Sequence, residues 1–182
     1  MHTKEKTERK MKSGIRIAAL FAAMSCLLSC SKEGTDIFKG NYSFKTSGNV
    51  GVEATFTSGE ESSERSFDMQ LATEQGQMDI ISRSETEVLI TMNVLGGDVY
   101  TAQAKVQDEV LVLEPYTRYV RLEFPDFGHK NMPVTISGTA ERYGDSIIFT
   151  LAYSGEYDWE DEDRKLHAEI NSSDVRTVAR LN

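Results

Sequence analysis

The amino-acid sequence after residue 37 predicts an all-β fold, and three observations support this prediction. From Phe38 onward apolar residues alternate with polar ones, as at Tyr42 and Phe44, and a period of two indicates half-buried strands. Glycines such as Gly48 and Gly76 fall in the gaps between these runs, where turns need positive φ. After residue 37 no stretch carries a sustained helical stripe with caps. We therefore expect little α-helix.

The apolar runs predict about ten to twelve short strands over residues 38–182. They lie at residues 42–44, 50–56, 67–71, 78–81, 88–92, 99–106, 110–113, 120–124, 134–142, 146–153, 166–170 and 175–181. Residues 58–66 are polar throughout and predict an exposed hairpin loop, whereas the clearest hairpin turns at residues 143–145. These local connections indicate an antiparallel meander. Because free strand edges promote aggregation, we expect the meander to close into a β-barrel, with a two-sheet β-sandwich as the alternative.

The segment from residue 114 to residue 133 interrupts this regularity with three prolines and several aromatic residues. Proline is tolerated at strand ends and edges, so residues 120–124 still predict a strand, and residues 124–128 predict a loop. The aromatic side chains either line the mouth of a ligand pocket or hold the loop against the sheet. With the single tryptophan added, the candidate ligand-binding residues are Tyr116, Tyr119, Phe124, Phe127 and Trp159.

Residues 1–29 are predicted to form a secretory signal helix that is removed from the mature protein. A basic pair and the apolar run of residues 17–28 precede a small residue and Cys30. An uncleaved membrane helix is the alternative, but the run is shorter than the roughly 20 residues that a membrane span needs. Met11 begins a better-formed signal than Met1, because mixed charges precede it, so Met11 is a possible start of translation and the choice between the two methionines stays open.

The sequence Leu27-Leu28-Ser29-Cys30 resembles the lipobox of bacterial lipoproteins, in which an aliphatic, a small or aliphatic and a small residue precede the cysteine. The resemblance implies that Cys30 carries a diacylglyceryl group, that signal peptidase II cuts before it, and that the new amino terminus is acylated. Cys26 is a second possible cleavage cysteine, although cutting there shortens the apolar region. Two or three acyl chains hold a protein stably on a membrane. Lipid on Cys30 is therefore the expected membrane contact.

Residues 30–37 are predicted to be a short polar tether, and residues 38–182 to be one domain. Serine rather than aspartate at position 31 resembles lipoproteins sent to the outer membrane. Lys32 and Glu33 resemble part of the surface-export signal of Bacteroidetes lipoproteins. These resemblances imply a cell-envelope location at the outer membrane and leave open whether the domain faces the periplasm or the outside.

The charge of the mature chain limits its partners. Without residues 1–29, which hold six Lys and Arg and two Asp and Glu, the chain keeps 14 basic and 27 acidic residues, a net charge of −13 with His neutral. This balance opposes nucleic-acid binding, which depends on neutralising phosphates. The only cysteines are Cys26 and Cys30, so no disulfide framework is expected. The remaining 153 residues fit one domain that can bury a core.

The opening Gly40-Asn41-Tyr42, the single-domain length and the succession of hairpins resemble lipocalin-like (calycin) lipoproteins. The lipocalin opening usually has tryptophan where Tyr42 stands. The resemblance covers the layout of residues 38–182 and implies a closed barrel with a ligand pocket at its mouth.

Neither catalysis nor metal binding is indicated by the motifs of the mature chain. We find no Gly-x-Ser-x-Gly elbow, no His-Glu-x-x-His and no phosphate-binding loop, and His129 and His167 are isolated. A glycosidase-like carboxylate pair stays open, because acidic residues are too numerous to choose from. The acidic run at residues 156–163 offers oxygen ligands for calcium but lacks the Asp-x-Asp-x-Asp-Gly spacing, so we expect a solvated hairpin tip. We expect no enzyme, no cofactor and no metal.

Two functional classes remain. The first is a binding module that takes a small apolar or glycan ligand, or a partner protein, near the candidate aromatic residues. The second is a structural or accessory envelope protein with a filled core and no small-molecule ligand.

Overall fold

A computed structural model describes residues 34–182, and over this range the protein contains strands and one 3₁₀ turn but no α-helix. The elements are the 3₁₀ turn Gly34–Ile37 and the strands β1 Gly40–Ser58, β2 Glu61–Gln70, β3 Glu74–Ser82, β4 Glu87–Val94, β5 Val99–Gln107, β6 Val110–Phe124, β7 Gly128–Tyr143, β8 Ser146–Asp161 and β9 Arg164–Leu181. Within this range no helix is long and apolar enough to cross a membrane. The predicted signal helix, Met11, Cys26 and Cys30 lie outside the described residues.

The nine strands form one antiparallel sheet whose hydrogen bonds close in a ring, and this confirms the predicted all-β meander and its closure. Strands β3 to β9 pair in chain order. Strand β1 pairs with β3 on one edge and with β9 on the other, where residues 42–58 face residues 164–181. Because β1 connects both ends of the series, the sheet is a single barrel-like ring rather than two separate sheets.

The period of two in the sequence places alternate side chains inside the ring. Along β1 the even-numbered residues from Tyr42 to Phe56 are buried, except Gly48, which is only partly buried. The largest fully buried side chains come from almost every strand and include Tyr42, Met78, Ile80, Ile90, Leu111, Leu122, Phe124, Met132, Ile136, Ile147 and Leu166. One continuous apolar core results, and its burial is the main force that favours folding.

The structure has fewer strands than the predicted ten to twelve because neighbouring apolar runs join into long strands. Strand β1 runs through Gly48 without turning, at a φ of 151°. A Cβ atom there would lie 2.1 Å from the carbonyl oxygen of Asp174 on β9. Gly48 was expected at a turn, but it lies where the backbones of β1 and β9 approach closely. A residue without a side chain is needed at such an approach as well as in turns.

The predicted exposed loop at residues 58–66 is wrong. The chain turns tightly at Gly59 and Glu60, and β2 then pairs with β1 from Glu61 to Gln70. The sequence of β2 is polar because it is an edge strand whose first six residues are all exposed. Backbone pairing, which the side-chain pattern does not report, holds it in place.

Strand β6 continues through Pro115, where the sequence indicated an interruption. The register with β7 shifts between Leu113 and Tyr116, so this stretch is a β-bulge. Buried positions are odd-numbered before the bulge, as at Leu111 and Leu113, and even-numbered after it, as at Leu122. The bulge accommodates the proline and redirects the second part of the strand.

The sheet has two halves that differ in pairing. In the closed half, segments of eight strands pair all the way round; it comprises residues 40–47, 74–113, 138–151 and 174–181. The open half comprises residues 48–70 and 152–173 together with residues 116–136, the β6–β7 hairpin that we call the arm. Strands β4 and β5 turn back at residues 95–98 and do not extend into the open half.

The end of the closed half is covered by the 3₁₀ turn. Thr35, which the sequence assigned to the tether, is buried, and its hydroxyl oxygen accepts a hydrogen bond from the Ser82 hydroxyl at 2.7 Å. The Tyr42 hydroxyl donates to the carbonyl oxygen of Phe38 at 2.7 Å. The Arg142 guanidinium donates to the carbonyl oxygen of Ile37. These bonds attach the start of the described chain to the ring.

Candidate binding cleft

A cleft forms where the ring opens between β2 and β6. The ladder between β5 and β6 ends at Ala104 and Leu113. Among residues 34–182, the second part of β6, Tyr116–Phe124, pairs only with β7, and β2 pairs only with β1. Each strand therefore has one edge without a strand partner, and these two edges flank the cleft.

The cleft has a volume of about 740 Å³ at the end of β2. Its lining consists of Met69, Gln70, Leu71, Ala72, Thr73, Arg121, Leu122, Glu123 and His129. It adjoins a second depression of about 260 Å³ beside the β4–β5 turn, lined in part by Val94, Asp98 and Tyr119. The combined surface is an open depression that offers apolar contacts, polar side chains and strand edges.

An ion pair spans the cleft at the boundary with the closed half. The Arg118 guanidinium donates to both carboxylate oxygens of Glu74, at 2.8 and 3.0 Å. The two side chains are only 18% and 28% exposed. The Tyr100 ring lies 3.7 Å from the guanidinium carbon and stacks with the Tyr116 ring. This bidentate pair joins β3 to β6 where the strands between them end.

Burial determines the protonation of the groups around this pair. Burial raises the pKa of Tyr116 to about 12, although the Arg118 guanidinium opposes the rise. Burial raises the pKa of Tyr100 in the same way. For Arg118, burial is the largest single effect and lowers the pKa, but the hydrogen bonds to Glu74 and the electrostatic interactions with Glu74, Tyr100 and Tyr116 together raise it by more, so the net pKa is raised. At neutral pH the tyrosines are therefore protonated and Arg118 is charged.

At the other end of the cleft, aromatic side chains connect β2 to the arm. Phe67 of β2 and Phe124 of β6 meet edge to face, with ring centroids 6.4 Å apart. Phe56 of β1 contacts both of them. Residues 119–123 of β6 lie between this contact and the Arg118 ion pair, which is a strand length of about 17 Å.

The interior of the closed half is filled next to this site. The cavity bounded by Tyr100, Tyr116 and Tyr153 has a volume of about 10 Å³. Thr46 and Thr177, whose hydroxyl oxygens are 2.6 Å apart, line the same cavity. A space of this size holds at most about one water molecule. A ligand of organic size therefore has room in the cleft but not in this cavity.

The structure separates the five predicted site residues into three places. Tyr116 is part of the inner wall beside Arg118, and Tyr119 projects from the outer face of β6 at the cleft. Phe124, Phe127 and Trp159 belong to an aromatic cluster at the tip of the open half. Of the five, only Tyr119 combines exposure, at 71%, with a position on the cleft.

Basic and aromatic side chains surround Trp159. The Lys130 ammonium lies 3.5 Å from the centroid of the indole ring, and Phe127 meets the ring edge to face. The Arg164 guanidinium is 5.6 Å from the same centroid. These contacts join β7 of the arm to β8 and β9, so the aromatic cluster holds the arm onto the rest of the sheet.

Two carboxylates of the acidic run at residues 156–163 have partners directly across the β8–β9 ladder. The Asp158 carboxylate lies 2.7 Å from the His167 ring, and Glu160 lies 2.8 Å from Lys165. These residues are direct partners in the ladder register. The hydrogen bond to Asp158 raises the pKa of His167. Within residues 34–182, no three His, Cys, Asp or Glu side chains are grouped as a metal site would require.

Sequence reasoning missed the charged residues of the cleft. Arg118 occupies an inward position between Tyr116 and Val120, and a charged residue at an inward position is the signal that could have drawn attention to it. Its partner Glu74 follows a break in the apolar pattern and carries no such signal. Arg121 and Glu123 lie on the outer face of β6, where charged residues are ordinary.

Comparisons with known proteins add no family. No protein-family model matches the chain. No curated protein matches it either. Among solved structures, the ywiB protein from Bacillus subtilis matches at 8% identity and a TM-score of 0.22, with the match covering 78% of this chain and 93% of that chain.

Proposed function

We propose that the protein is a membrane-anchored envelope lipoprotein, not an enzyme, that binds a partner protein at the cleft between β2 and β6. Lipid on Cys30 is the proposed membrane contact, and the outer membrane is the proposed location. The observation that carries the binding role is the cleft of about 740 Å³ with an unpaired strand edge on each side. The filled cavity beside Tyr116 favours this surface over a ligand inside the ring.

Exposed apolar side chains support the cleft as a contact surface. Leu95, Tyr119 and Val99 are the three most exposed large apolar residues among residues 34–182, at 75%, 71% and 62%. Leu95 is in the β4–β5 turn and Val99 follows it, while Tyr119 lies on β6 at the cleft. Apolar exposure concentrated beside a cleft is typical of protein-interaction sites.

The anchor is tested by labelling cells with radioactive palmitate. We expect Cys30→Ala to abolish the label and to release the protein from the membrane fraction, and Cys26→Ala to keep both. Label that persists in Cys30→Ala would overturn the assignment of the lipid to that residue.

The binding role is tested by photo-crosslinking in intact cells of the native host. A photoreactive phenylalanine at position 119 is expected to capture a discrete partner. The matched control replaces Tyr143, which is also exposed but lies on β7 in the closed half. Equal labelling at both positions, or none at position 119, would count against a partner in the cleft.

The second candidate function is a structural or accessory envelope protein without a small-molecule ligand. The observation that favours it is the cavity of about 10 Å³ beside Tyr153, which is too small for an organic ligand. This candidate predicts no specific capture at position 119 and no change in envelope composition when the cleft residues are substituted.

A further inference from the structure

We propose that the cleft takes an extended segment of the partner protein, which adds as an antiparallel strand to the free edge of β6. The segment carries a basic, an acidic and an apolar residue at alternate positions, opposite Glu123, Arg121 and Tyr119. This inference rests on the proposed function, because it specifies how the partner is recognised at the same cleft.

The first argument is the unmet hydrogen-bonding capacity of β6. Residues 116–124 pair with β7 on one side, and no ladder to another strand forms on the other side within residues 34–182. A strand edge presents a row of N–H and C=O groups that matches an extended peptide backbone. Residues 119–123, free of bridging contacts, provide room for about five residues of such a peptide.

The second argument is the width of the opening. In the closed half, β4 and β5 lie between β3 and β6, so β3 and β6 are three strand spacings apart, about 14 Å. Strands β4 and β5 end at the turn that joins them. Beyond this turn, β6 lies on one side of the opening and β2, which precedes β3 in the chain, lies on the other. The opening then narrows to the contact between Phe67 and Phe124. An added strand next to β6 fits the wide part of this narrowing opening.

The third argument is the charge pattern on the outer face of β6. Tyr119, Arg121 and Glu123 are exposed at alternate positions. Within residues 34–182, neither Arg121 nor Glu123 takes part in an ion pair. Read from its N-terminus, an antiparallel segment would place its residues across from Glu123, then Arg121, then Tyr119. Unlike charges at facing positions stabilise such a pairing. The complementary segment therefore reads basic, x, acidic, x, apolar.

The shape of the cleft favours a peptide over a second copy of this chain. A second ring would have to bring its own strand between β2 and β6, and its neighbouring strands would collide with β2. The edge of β2 is also a poor self-pairing site, because its outward positions include Glu64 and Asp68 and would place like charges opposite one another. A single extended segment meets neither obstacle.

The experiment titrates two seven-residue peptides of identical composition into the isotopically labelled full chain in detergent, with backbone amide NMR shifts as the readout. The matched peptide is Thr-Lys-Thr-Glu-Thr-Val-Thr, and its isomer exchanges the lysine and the glutamate. We expect the matched peptide to shift the amides of residues 116–124 in a saturable way, and the isomer to bind about fivefold more weakly.

A charge-exchanged variant makes the test specific. Arg121→Glu combined with Glu123→Arg is expected to reverse the preference between the two peptides. The control variant, Asp174→Arg combined with Arg176→Asp, makes the same exchange on the outer face of β9 and is expected to leave the preference unchanged. Equal binding of both peptides, or shifts located away from β6, would overturn strand addition.

The remaining outcomes separate this inference from the proposed function. If the crosslinker at position 119 captures a partner but neither peptide binds at millimolar concentration, strand addition is wrong and the binding role stands. If the crosslinker captures nothing and neither peptide binds, both proposals fail. If the amide signals of β6 change with protein concentration alone, the occupant is a second copy, and the peptide proposal is wrong.

Discussion

In the closed half each strand has hydrogen-bonded neighbours on both sides, whereas in the open half the arm pairs with β8 through the backbone only at its base, at Thr135 and Ile136. Elsewhere the arm is attached to β2, β3 and β8 by side chains. Arg118 and Phe124 hold one side of the arm, and Lys130 holds the other. A ladder resists opening as a unit, but separate side-chain bridges can be lost singly. We therefore expect the closed half to be the more stable part of the sheet and the arm to open more easily. The following substitutions test this expectation.

The largest effect is expected from Gly48→Val, which alters the contact between β1 and β9. A valine Cβ would overlap the carbonyl oxygen of Asp174 and would need a φ of 151°. We expect a loss of at least about 4 kcal/mol in the free energy of unfolding, measured by urea denaturation. Gly59→Val is the control: its turn has open space around it and a φ of 60°, so we expect a loss of about 1–2 kcal/mol. Similar losses at both sites would contradict this account of Gly48.

Two buried leucines compare the halves directly. Leu111 lies in the closed half and Leu122 in the arm, and both are at most 2% exposed. We expect Leu111→Ala to lower the free energy of unfolding by about 3 kcal/mol, and Leu122→Ala by about 2 kcal/mol, because the arm can relax around the missing atoms. Hydrogen exchange should accelerate in residues 116–134 for Leu122→Ala alone. Uniform acceleration in both variants would show that the two halves open together.

The ion pair that spans the cleft is tested by a double-mutant cycle. Glu74→Gln and Arg118→Met each leave a half-buried partner unmatched, so each is expected to cost about 1–2 kcal/mol of unfolding free energy. The double variant is expected to lose less than the sum of the two. Lys105→Met, which removes an exposed pair with Glu114 at 3.1 Å, is the control and is expected to cost less than about 0.5 kcal/mol. Additive losses at Glu74 and Arg118 would argue against their coupling.

The smallest effect concerns Asp158 and His167 at the exposed end of the open half. The folded pKa of His167 is raised by its hydrogen bond to Asp158. The pair therefore stabilises the fold fully at pH values below about 6.5, and the contribution is lost as the pH rises through the higher folded pKa. We expect Asp158→Asn to lower the melting temperature slightly at pH 5.5 and not at pH 8.5. A larger decrease at pH 8.5 would contradict the sign.

The alternation of side chains predicted the strands because burial of one face is encoded locally, and the need to cover free strand edges predicted the closure of the sheet. The alternation did not predict the first part of β2, residues 61–66, because their side chains are exposed and only backbone pairing with β1 holds them in a strand. Nor did it predict how runs join, since Gly48 and Pro115 resemble turn residues in sequence but accommodate a close backbone approach and a bulge.

The cleft was less accessible to sequence reasoning than the fold. The aromatic residues were candidates because they cluster in a segment interrupted by prolines, and Tyr119 does lie at the cleft. Phe124 proved to be a core residue, at 1% exposure. The edges of β2 and β6 face each other because β4 and β5 are short, and this depends on strand lengths across the whole sheet. A local sequence pattern does not contain information on the relative lengths of distant strands.

The ladder between β1 and β9 has a consequence for the order of events during biosynthesis. All of its paired residues are more than 100 positions apart in the sequence, so the ring cannot close until the final strand has been synthesised. Until then β1 lacks a neighbour along one edge, because β2 and β3 both pair along the other. Removing Arg164–Leu181 would leave the free edges of β1 and β8 exposed to intermolecular pairing.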